Sequence, residues 1–370
     1  MKKIKIKIII DSLNKELTGI GNYTENLIKN LRKFDLSLEY INYKKIDRYN
    51  SKIYPNLLKG HFLETYSWYL ELPFLIRKEK NTIIHNPSQI PTFFKFKNKS
   101  VISVHDLAPL KFPKVHKFGR KILYEFLLPR TLKNASRIIV ASKSTKNDIL
   151  KIFPKINSEK IKVIYFAANE NYKVIKNEKK LDYIGKKYNL PNKFILFVGT
   201  IEPRKNIVRL LKAFSEVYKK IPILLVITGK LGWKYKKIYY TYKKLNLEDK
   251  VIFTGYVDEK DLPSIYNLAT IFVLPSLYEG FGLTPLEAMQ CGCPVVTSNV
   301  SSLPEIVGNA AIKVSPYSVK EIEDAIYSLL TNKKLRKKYI KKGLKQAKKF
   351  NWKKCAEETL EVYQEVYYEN

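Results

Sequence analysis

The sequence predicts an α/β protein with two parallel β-sheets and helices that cover them. Short segments rich in β-branched residues recur along the chain, and longer amphipathic or polar stretches separate them. These segments fall into two series, with a charged segment that lacks apolar periodicity between them. The length of 370 residues agrees with about two domains.

Five segments of the first series and six of the second are predicted as strands. They are residues 5–10, 82–85, 101–105, 137–142 and 162–166, followed by 193–199, 223–229, 251–255, 270–276, 294–298 and 310–314. The charged segment 169–182 is predicted to connect the two domains, so we place the boundary near residue 175. Residues 354–370 have apolar side chains at helical spacing and are predicted as a helix that could pack on either domain.

The charge of the chain indicates anionic partners. There are 68 Lys and Arg against 34 Asp and Glu, a net charge of +34. Nucleic acid, an anionic bilayer and phosphorylated small molecules all meet this condition. The three cysteines are too few for a disulfide framework and lack zinc-ligand spacing, which agrees with a reducing cytosol. The apolar start breaks at Asp11, and no apolar run approaches ~18 residues, so neither a signal peptide nor a membrane span is predicted.

Two adjacent cations follow the first strand of the second series. Gly199 ends that strand, and Arg204 and Lys205 come soon after it. In open parallel sheets ligands bind beyond the carboxyl ends of the strands, so this loop is a candidate for binding a diphosphate. The alternative is an ordinary solvated basic turn.

The segment EGFGLTPLE, residues 279–287, contains two carboxylates. Thr284 as N-cap, Pro285 at the first helical position and Glu287 at the third predict a capping box, which would by itself account for Glu287.

Glu279 remains unexplained by the cap. It precedes Gly280 and Gly282, whose missing side chains let backbone N–H groups approach an anion. Because a carboxylate repels phosphate, we expect Glu279 and Glu287 to accept hydrogen bonds from sugar hydroxyls. Two acids beside one phosphate site predict a nucleotide-sugar.

An ordered set of motifs extends this hypothesis over nearly the whole chain. The motifs are TGIGNYTENL (18–27), HDLAPLKFP (105–113), ASKSTKNDI (141–149), GTIEPRKN (199–206), TGKLGW (228–233), FTGYV (253–257), PSLYEGFGLTPLEAMQCGCPVV (275–296), SSLPEIVG (301–308) and FNWKKCAEETLEVY (350–363). In this order they resemble the family 4 retaining glycosyltransferases of the GT-B fold, and most of all the mannosyltransferase-type members.

The resemblance implies two Rossmann-like domains that face each other across a cleft. The acceptor-binding domain would comprise residues 1–175 and the donor-binding domain residues 176–353. The helix 354–370 would cross back to the first domain and make it discontinuous.

The resemblance also implies roles in the second domain. Arg204 and Lys205 would neutralise the donor diphosphate and stabilise it as leaving group, Glu279 would hold the transferred hexose, and Glu287 the ribose. The remaining predicted donor-binding positions of this domain are Gly199, Gly255, Tyr256, Val257, Gly280, Phe281, Gly282 and Leu283. The base would lie against residues 255–257.

In the first domain Gly19 and Gly21 look like the family's flexible loop that faces the donor diphosphate across the cleft, so both are predicted donor-binding positions. A helix that Asn22 caps with Glu25 would follow. An ordinary strand-to-helix turn is the alternative.

Three further residues of the first domain are candidates. His105 ends a strand and is followed by Asp106, an arrangement that suits a polar contact to the hexose. A structural histidine is the alternative. His85 ends a neighbouring strand, and we assign His85 and Asp106 to the acceptor side.

The predicted reaction is transfer of a hexose, with retention of configuration, to a saccharide or lipid-linked saccharide in cell-surface polysaccharide assembly. GDP-mannose is the first expectation for the donor and a UDP-sugar the second. Same-face displacement, no metal and no cofactor are expected. We predict a cytoplasmic protein without a nucleic-acid partner.

The basic-aromatic stretches 92–100 and 116–128 allow peripheral contact with the anionic inner face of the cell membrane, or ordinary helix packing. A nucleotide-sugar hydrolase or epimerase, a phosphorylase-like transferase, and a basic nucleic-acid or membrane adaptor remain as alternatives.

Overall fold

The computed structural model describes residues 3–13, 19–53, 64–76, 79–92, 94–113 and 118–369, without the side chains of residues 64–67 and 118–121. The chain divides into two compact units. Unit 1 comprises Met1–Phe166 and Asn351–Asn370, and unit 2 comprises Ala167–Phe350.

The division falls a few residues before the predicted boundaries at 175 and 353. Phe166 stacks on Trp352 within unit 1, with ring centroids 6.3 Å apart. The backbone of Ile175, in contrast, donates a 2.8 Å hydrogen bond to the Asn267 side chain of unit 2. The segment predicted as a connection is therefore bound to unit 2 along part of its length.

Unit 1 contains a sheet of seven parallel strands in the order β3-β2-β1-β4-β5-β6-β7. The strands are β1 Lys5–Ile9, β2 Ser37–Asn42, β3 Ser51–Ile53, β4 Thr82–Asn86, β5 Lys99–Val104, β6 Arg137–Val140 and β7 Ile161–Val163. The five predicted strands of the first series are confirmed, whereas β2 and β3 were missed. Only the second half of β2 is buried, and β3 is a short, mostly exposed edge strand, so neither has a strong apolar pattern.

The helices of unit 1 lie between strands β1 and β2, β3 and β4, β5 and β6, and β6 and β7. They are α1 Gly19–Leu31, α2 Glu64–Leu75, α3 Ala108–Lys111, α4 Phe118–Phe126, α5 Leu128–Asn134 and α6 Lys143–Ile152. The C-terminal helix Trp352–Tyr368 also belongs to this unit, where it packs against α1 and the central strands. It buries Cys355, Thr359, Tyr363 and Val366 completely, so the predicted return of this helix to the first domain is confirmed.

Unit 2 contains six parallel strands in the order β10-β9-β8-β11-β12-β13. The elements are α7 Glu178–Lys187, β8 Phe194–Val198, α8 Ile207–Lys220, β9 Leu224–Thr228, α9 Lys236–Lys244, β10 Val251–Gly255, α10 Leu262–Leu268, β11 Ile271–Leu274, α11 Leu283–Gln290, β12 Val295–Ser298, α12 Leu303–Val307, β13 Ile312–Val314, α13 Val319–Thr331 and α14 Lys333–Ala347; the C-terminal helix is α15. All six predicted strands of the second series are confirmed.

Both sheets have the Rossmann-like order, in which the first strand of the unit lies between the second strand and the fourth strand of that unit. In unit 2 this strand is β8, which pairs with β9 on one side and β11 on the other. Connections leave β8 and β11 in opposite directions, and a crevice forms where their carboxyl ends meet. The loops after β8 and β11 carry the predicted cations and Glu279.

Candidate functional site

Arg204, Lys205 and Glu279 meet at the crevice between β8 and β11. Glu279 accepts a 2.7 Å hydrogen bond from Lys205 Nζ through Oε1 and a 2.9 Å bond from Arg204 Nη1 through Oε2. Ser276 Oγ donates a further 2.7 Å bond to Oε1. Burial by itself raises the pKa of Glu279, but the charges of Lys205 and Arg204 outweigh it and hold that pKa at about 2. Glu279 is thus a buried, ionised carboxylate.

A second carboxylate, Glu202, completes the cluster and was missed by the sequence reasoning. It is 1% exposed. Its Oε1 lies 2.9 Å from Arg204 Nε and 2.7 Å from Nη2. Arg204 Nη1 also donates to the Tyr278 carbonyl at 2.8 Å. The guanidinium is therefore held between two carboxylates in one orientation. The only sequence signal was an acid two positions before Arg204, which does not indicate burial.

The Lys205 ammonium is less completely bonded than the guanidinium. Its side chain is 11% exposed. Within the part of the chain that the structure describes, Glu279 is its single hydrogen-bond partner. A Cβ on Gly199 would lie 3.7 Å from Nζ, so the ammonium lies directly beside the end of β8. Two of its three N–H groups can therefore bind an anion at this strand end.

Asn206 connects the loops that carry these charges. Its backbone has a φ of +61°, in the left-handed region that Asn tolerates. Its side-chain amide donates to the Pro275 carbonyl at 2.9 Å and to the Pro316 carbonyl at 2.6 Å. The backbone of Leu277 donates to the Arg204 carbonyl at 2.9 Å. These bonds keep the two loops in fixed register.

The ends of β8, β9 and β10 are joined through three glycines. The backbone N–H of Gly199 donates to the Thr228 carbonyl, and that of Gly229 donates to the Gly255 carbonyl, both at 2.9 Å. A Cβ on Gly229 would lie 2.1 Å from the Gly199 oxygen, so only glycine is accommodated there. Beyond Gly255, Tyr256 is 50% exposed and Val257 is buried. A narrow strip of bare backbone thus runs from Lys205 to Tyr256.

The predicted capping box at Thr284, Pro285 and Glu287 is wrong. Helix α11 begins at Leu283, and its N-cap is Gly282 with a φ of +114° and no side-chain cap. The left-handed conformation of Gly282 lets the helix start earlier than the side chains suggested. Glu287 therefore lies beyond the first turn and needs another explanation.

Hydrogen bonds with Ser301 and Ser302 hold the loop that precedes helix α11. Ser302 Oγ bonds the carbonyls of Glu279 and Phe281 at 2.9 and 2.7 Å, and Phe281 is 7% exposed. The backbone of Glu279 donates to Ser301 Oγ at 3.0 Å. Gly280 lies within this braced turn, which holds the predicted donor-binding backbone of residues 280–283 in one conformation.

Glu287 is buried and accepts a 3.0 Å hydrogen bond from Tyr266 Oη. Burial raises the pKa of Glu287 to about 7, against the weaker effect of the Tyr266 bond. Unlike Glu279, this carboxyl group changes its ionisation near neutral pH. An ionised Glu287 can accept hydroxyl hydrogen bonds, as the predicted ribose contact requires.

In unit 1, His105 immediately follows β5. Its Nε2 donates a 2.7 Å hydrogen bond to the Pro87 carbonyl, and its ring packs edge-on against Tyr23. Burial lowers the pKa of His105, so the ring is neutral with Nδ1 as an acceptor. Asp106 Oδ1 accepts a 2.9 Å bond from the backbone of Ala108 at the start of α3. Asp106 thus has a local structural role besides its predicted one.

His85 occupies the interior of unit 1. The ring is 0% exposed, with Nδ1 2.6 Å from Tyr363 Oη and Nε2 2.8 Å from Ser103 Oγ. Burial lowers the pKa of His85 to about 3. The structure gives His85 the role of a hydrogen-bonded core histidine, and direct acceptor contact would need an exposed ring.

Gly19 and Gly21 lie in the first turn of helix α1 instead of the predicted loop, and their contact with the donor stays a prediction. Asn22 lies inside the helix instead of capping it. Glu25 pairs with Arg48 at 2.8 Å. Residue 18 of the same motif lies outside the described residues.

The basic-aromatic stretches have mixed environments. Phe94 is 48% exposed and Phe126 is 64% exposed, whereas Phe96 is buried in the core. Residues 93, 116 and 117 lie outside the described residues. Among the helices that the structure describes, none is long and apolar enough to cross a bilayer. Across the same residues no three His, Cys, Asp or Glu side chains are grouped as metal ligands, and metal independence stays a prediction.

Comparison with known proteins supports a single family. A family model described as Glycosyltransferase Family 4 matches residues 17–170, and one described as Glycosyl transferases group 1 matches residues 182–346. O-antigen chain mannosyltransferase B of Escherichia coli is 33% identical over 294 residues, which are 78% of this chain and 75% of that protein.

A second relative, serotype-specific mannosyltransferase WbdA of Escherichia coli, is 33% identical over 72% of this chain. The match spans only 33% of the length of that protein. Among solved structures, sucrose-phosphate synthase from Thermosynechococcus elongatus superposes with a TM-score of 0.78 at 20% identity and covers 99% of both chains. The fold is therefore GT-B, and the chain belongs to glycosyltransferase family 4.

Proposed function

We propose that this glycosyltransferase moves a hexose, mannose from GDP-mannose, to a saccharide or lipid-linked saccharide in polysaccharide assembly, with retention of configuration. One observation carries the proposal: the buried carboxylate of Glu279 contacts both Lys205 and Arg204 where β8 and β11 separate. The names of the two mannosyltransferase relatives support mannose and a polysaccharide product.

The strand order supports an extended donor. Along the sheet the carboxyl ends follow in the order β11, β8, β9 and β10. Glu279 lies after β11, the cations after β8, and Tyr256 after β10. Since neighbouring strands are about 4.8 Å apart, β8 and β10 are separated by roughly 10 Å, which suits a ribose and base attached to the diphosphate. Hexose, diphosphate and base would then occupy successive strand ends.

Electrostatics suit the departure of a nucleoside diphosphate. Arg204 is held rigidly by Glu202 and Glu279, and Lys205 keeps N–H groups that can bond phosphate oxygens. Preorganised cations of this kind stabilise the charge that develops on a leaving group. No protein nucleophile is needed if the departing phosphate receives the acceptor proton on the same face of the sugar.

In unit 1 we propose that the neutral ring of His105 makes the predicted polar contact to the transferred hexose, with Nδ1 as the acceptor. His105→Gln should lower the transfer rate while leaving GDP affinity unchanged, because no phosphate contact is lost. Transfer at the wild-type rate would exclude this role.

The donor can be tested with calorimetry at low salt, using GDP-mannose, GDP, UDP-glucose and UDP. We expect micromolar or tighter binding of the guanosine ligands and a loss of at least tenfold in Lys205→Met. Proton NMR of the product reports the anomeric configuration. If no nucleotide or nucleotide-sugar binds, the donor site is refuted.

The same protein preparation distinguishes a transferase from a hydrolase. Free mannose released from GDP-mannose without a glycosylated acceptor would favour hydrolysis. An adaptor without catalysis would bind polyanions in a salt-dependent way and gain no thermal stability from GDP.

We also propose peripheral contact with an anionic membrane through unit 1. Phe74 and Phe94 are 62% and 48% exposed and pack together with ring centroids 4.7 Å apart. Lys95 and Lys97 follow Phe94, a combination that suits a phospholipid surface. Phe74→Ser/Phe94→Ser should abolish co-sedimentation with vesicles containing phosphatidylglycerol, whereas Tyr183→Ser, at a 64% exposed position of unit 2, should not.

A further inference from the structure

Unit 2 has a large groove beside the glycine strip. Its volume is about 1000 Å³, and it is bounded by the ends of β9 and β10 and by α9. The lining is mostly apolar and aromatic, and includes Leu231, Tyr235, Tyr239 and Tyr256. Leu231 is 65% exposed and Tyr239 54% exposed. Apolar walls of this extent on a folded domain indicate a ligand-binding site.

Lys230, an exposed residue that lines the groove together with Lys236 and Lys243, lies over an aromatic ring. Lys230 Nζ lies 4.3 Å from the centroid of the Tyr256 ring, closely above its face. Lys230 directly follows Gly229 and Tyr256 directly follows Gly255, so the backbone bond between the two glycines fixes the spacing of the pair. The ammonium thus lies over the aromatic face of Tyr256, and both residues line the groove.

The groove begins one strand away from the charged cluster, because Gly229 lines the groove and lies beside Gly199 at the end of β8. A Cβ on Gly199 would lie 3.5 Å from Lys205 Cε, and a Cβ on Gly229 would lie 2.1 Å from the Gly199 oxygen. A ligand whose diphosphate contacts Lys205 can therefore extend over bare backbone until it reaches Lys230. The part that arrives there is the base.

We propose that Lys230, supported by Tyr256, determines the base of the donor and selects guanine. This inference rests on the proposed function, because it needs a nucleoside diphosphate at Lys205. The sequence reasoning predicted only backbone contact at residues 255–257 and left the base open. The structure adds a side-chain donor at the same place.

The choice of guanine follows from hydrogen-bonding chemistry. Guanine presents two adjacent acceptors, O6 and N7, to a lysine ammonium, whereas adenine replaces O6 with an amino group that also donates. Uracil presents one carbonyl, O4, and no second acceptor beside it. The groove volume of about 1000 Å³ is sufficient for a purine. An ammonium at this position thus favours 6-oxopurines over both adenine and uracil.

The test is calorimetric titration of the full chain with GDP, IDP, ADP and UDP. IDP keeps O6 and N7 but lacks the 2-amino group of guanine, so it isolates the acceptors that Lys230 would contact. We expect GDP and IDP to bind with similar affinity and about tenfold more tightly than ADP. Lys230→Met should remove this difference and leave ADP affinity unchanged.

Lys250→Met is the matched control. Lys250 Nζ lies 5.3 Å from the ring of Tyr218, so it makes the same kind of contact on the same unit but outside the groove. The control should keep the preference for GDP. Tyr256→Phe should also keep it, because the phenyl ring preserves the face on which Lys230 lies, whereas Tyr256→Ser should weaken it.

Three results would overturn the inference. Lys230→Met could weaken all four nucleotides equally, which would make Lys230 a phosphate contact. UDP or ADP could bind as tightly as GDP to the wild-type chain, or IDP could bind as weakly as ADP. In each case a nucleotide still binds at Lys205 and the proposed function survives. Failure of every nucleotide to bind would refute both.

Discussion

Replacement of Glu279 by Gln tests the charged cluster most directly. The pKa of Glu279 lies at about 2, against an ordinary value of 4.5. One pKa unit corresponds to about 1.4 kcal/mol, so ionised Glu279 stabilises the folded state by about 3 kcal/mol at neutral pH. Because the folded pKa is lowered, this contribution is complete above pH 4.5 and is lost as the pH falls toward 2. Glu279→Gln should remove most of it.

The same substitution separates two parts of the donor. Glu279→Gln removes a negative charge beside Lys205 and Arg204, while Arg204 keeps its ion pair with Glu202, so the attraction of the two cations for a diphosphate does not fall. GDP affinity should therefore be kept or raised. The additional affinity of GDP-mannose over GDP should fall, because the Gln amide offers the hexose hydroxyls one neutral acceptor oxygen in place of two carboxylate oxygens.

Urea unfolding at pH 7 measures the stability, and calorimetry at low salt measures both ligands. Glu323→Gln is the control, since Glu323 is 6% exposed and pairs with Lys220 at 2.6 Å in the same unit. It should lose stability without changing either affinity. An equal fall of GDP and GDP-mannose affinity in Glu279→Gln would refute the division of roles, and unchanged stability would refute the assigned ion pairs.

Three further predictions concern single groups. Burial raises the pKa of Glu287 from 4.5 to about 7, so the contribution of this carboxyl group to stability is full below pH 4.5 and is lost as the pH rises through 7. The urea midpoint of Glu287→Gln should therefore fall less than that of the wild type between pH 5 and 8. The variant should also bind both GDP and GDP-mannose more weakly. Gly229→Ala places a methyl group 2.1 Å from the Gly199 oxygen at a φ of +145°, and thermal unfolding should show a loss of about 3 kcal/mol or more. Tyr363→Phe leaves His85 Nδ1 without its 2.6 Å partner and should cost about 1–3 kcal/mol in urea unfolding, with GDP affinity unchanged.

Parts of the fold were predictable because their signals are local. The strands β8, β9, β11 and β12 of unit 2 are short apolar runs that are almost wholly buried, which a sequence reveals by itself. Strands β2 and β3 were missed because only the second half of β2 is buried and β3 is mostly exposed. Helix α11 was placed too late, since the side chains of Thr284 and Glu287 match a capping box and the left-handed Gly282 leaves no side-chain pattern.

The candidate site was only partly accessible to the same reasoning. The cations and Glu279 stood out as charges in loops that follow apolar runs. Glu202 did not, because its burial depends on the surrounding fold. His85 and His105 look alike in sequence, yet one is enclosed and the other keeps some exposure. Neighbours from distant segments decide which histidine can meet a ligand.

The sequence alone determined the two parallel sheets, the motifs at their strand ends and the family. These depend on residue types and on spacings of a few positions. The tertiary structure decided which charges meet, since Arg204 and Glu279 are separated by 75 positions and come together only because β8 pairs with β11. It also decided that one carboxyl group of the loop and helix after β11 is ionised and the other titrates near pH 7. Ionisation depends on burial and on nearby charge, and both exist only after the chain has folded.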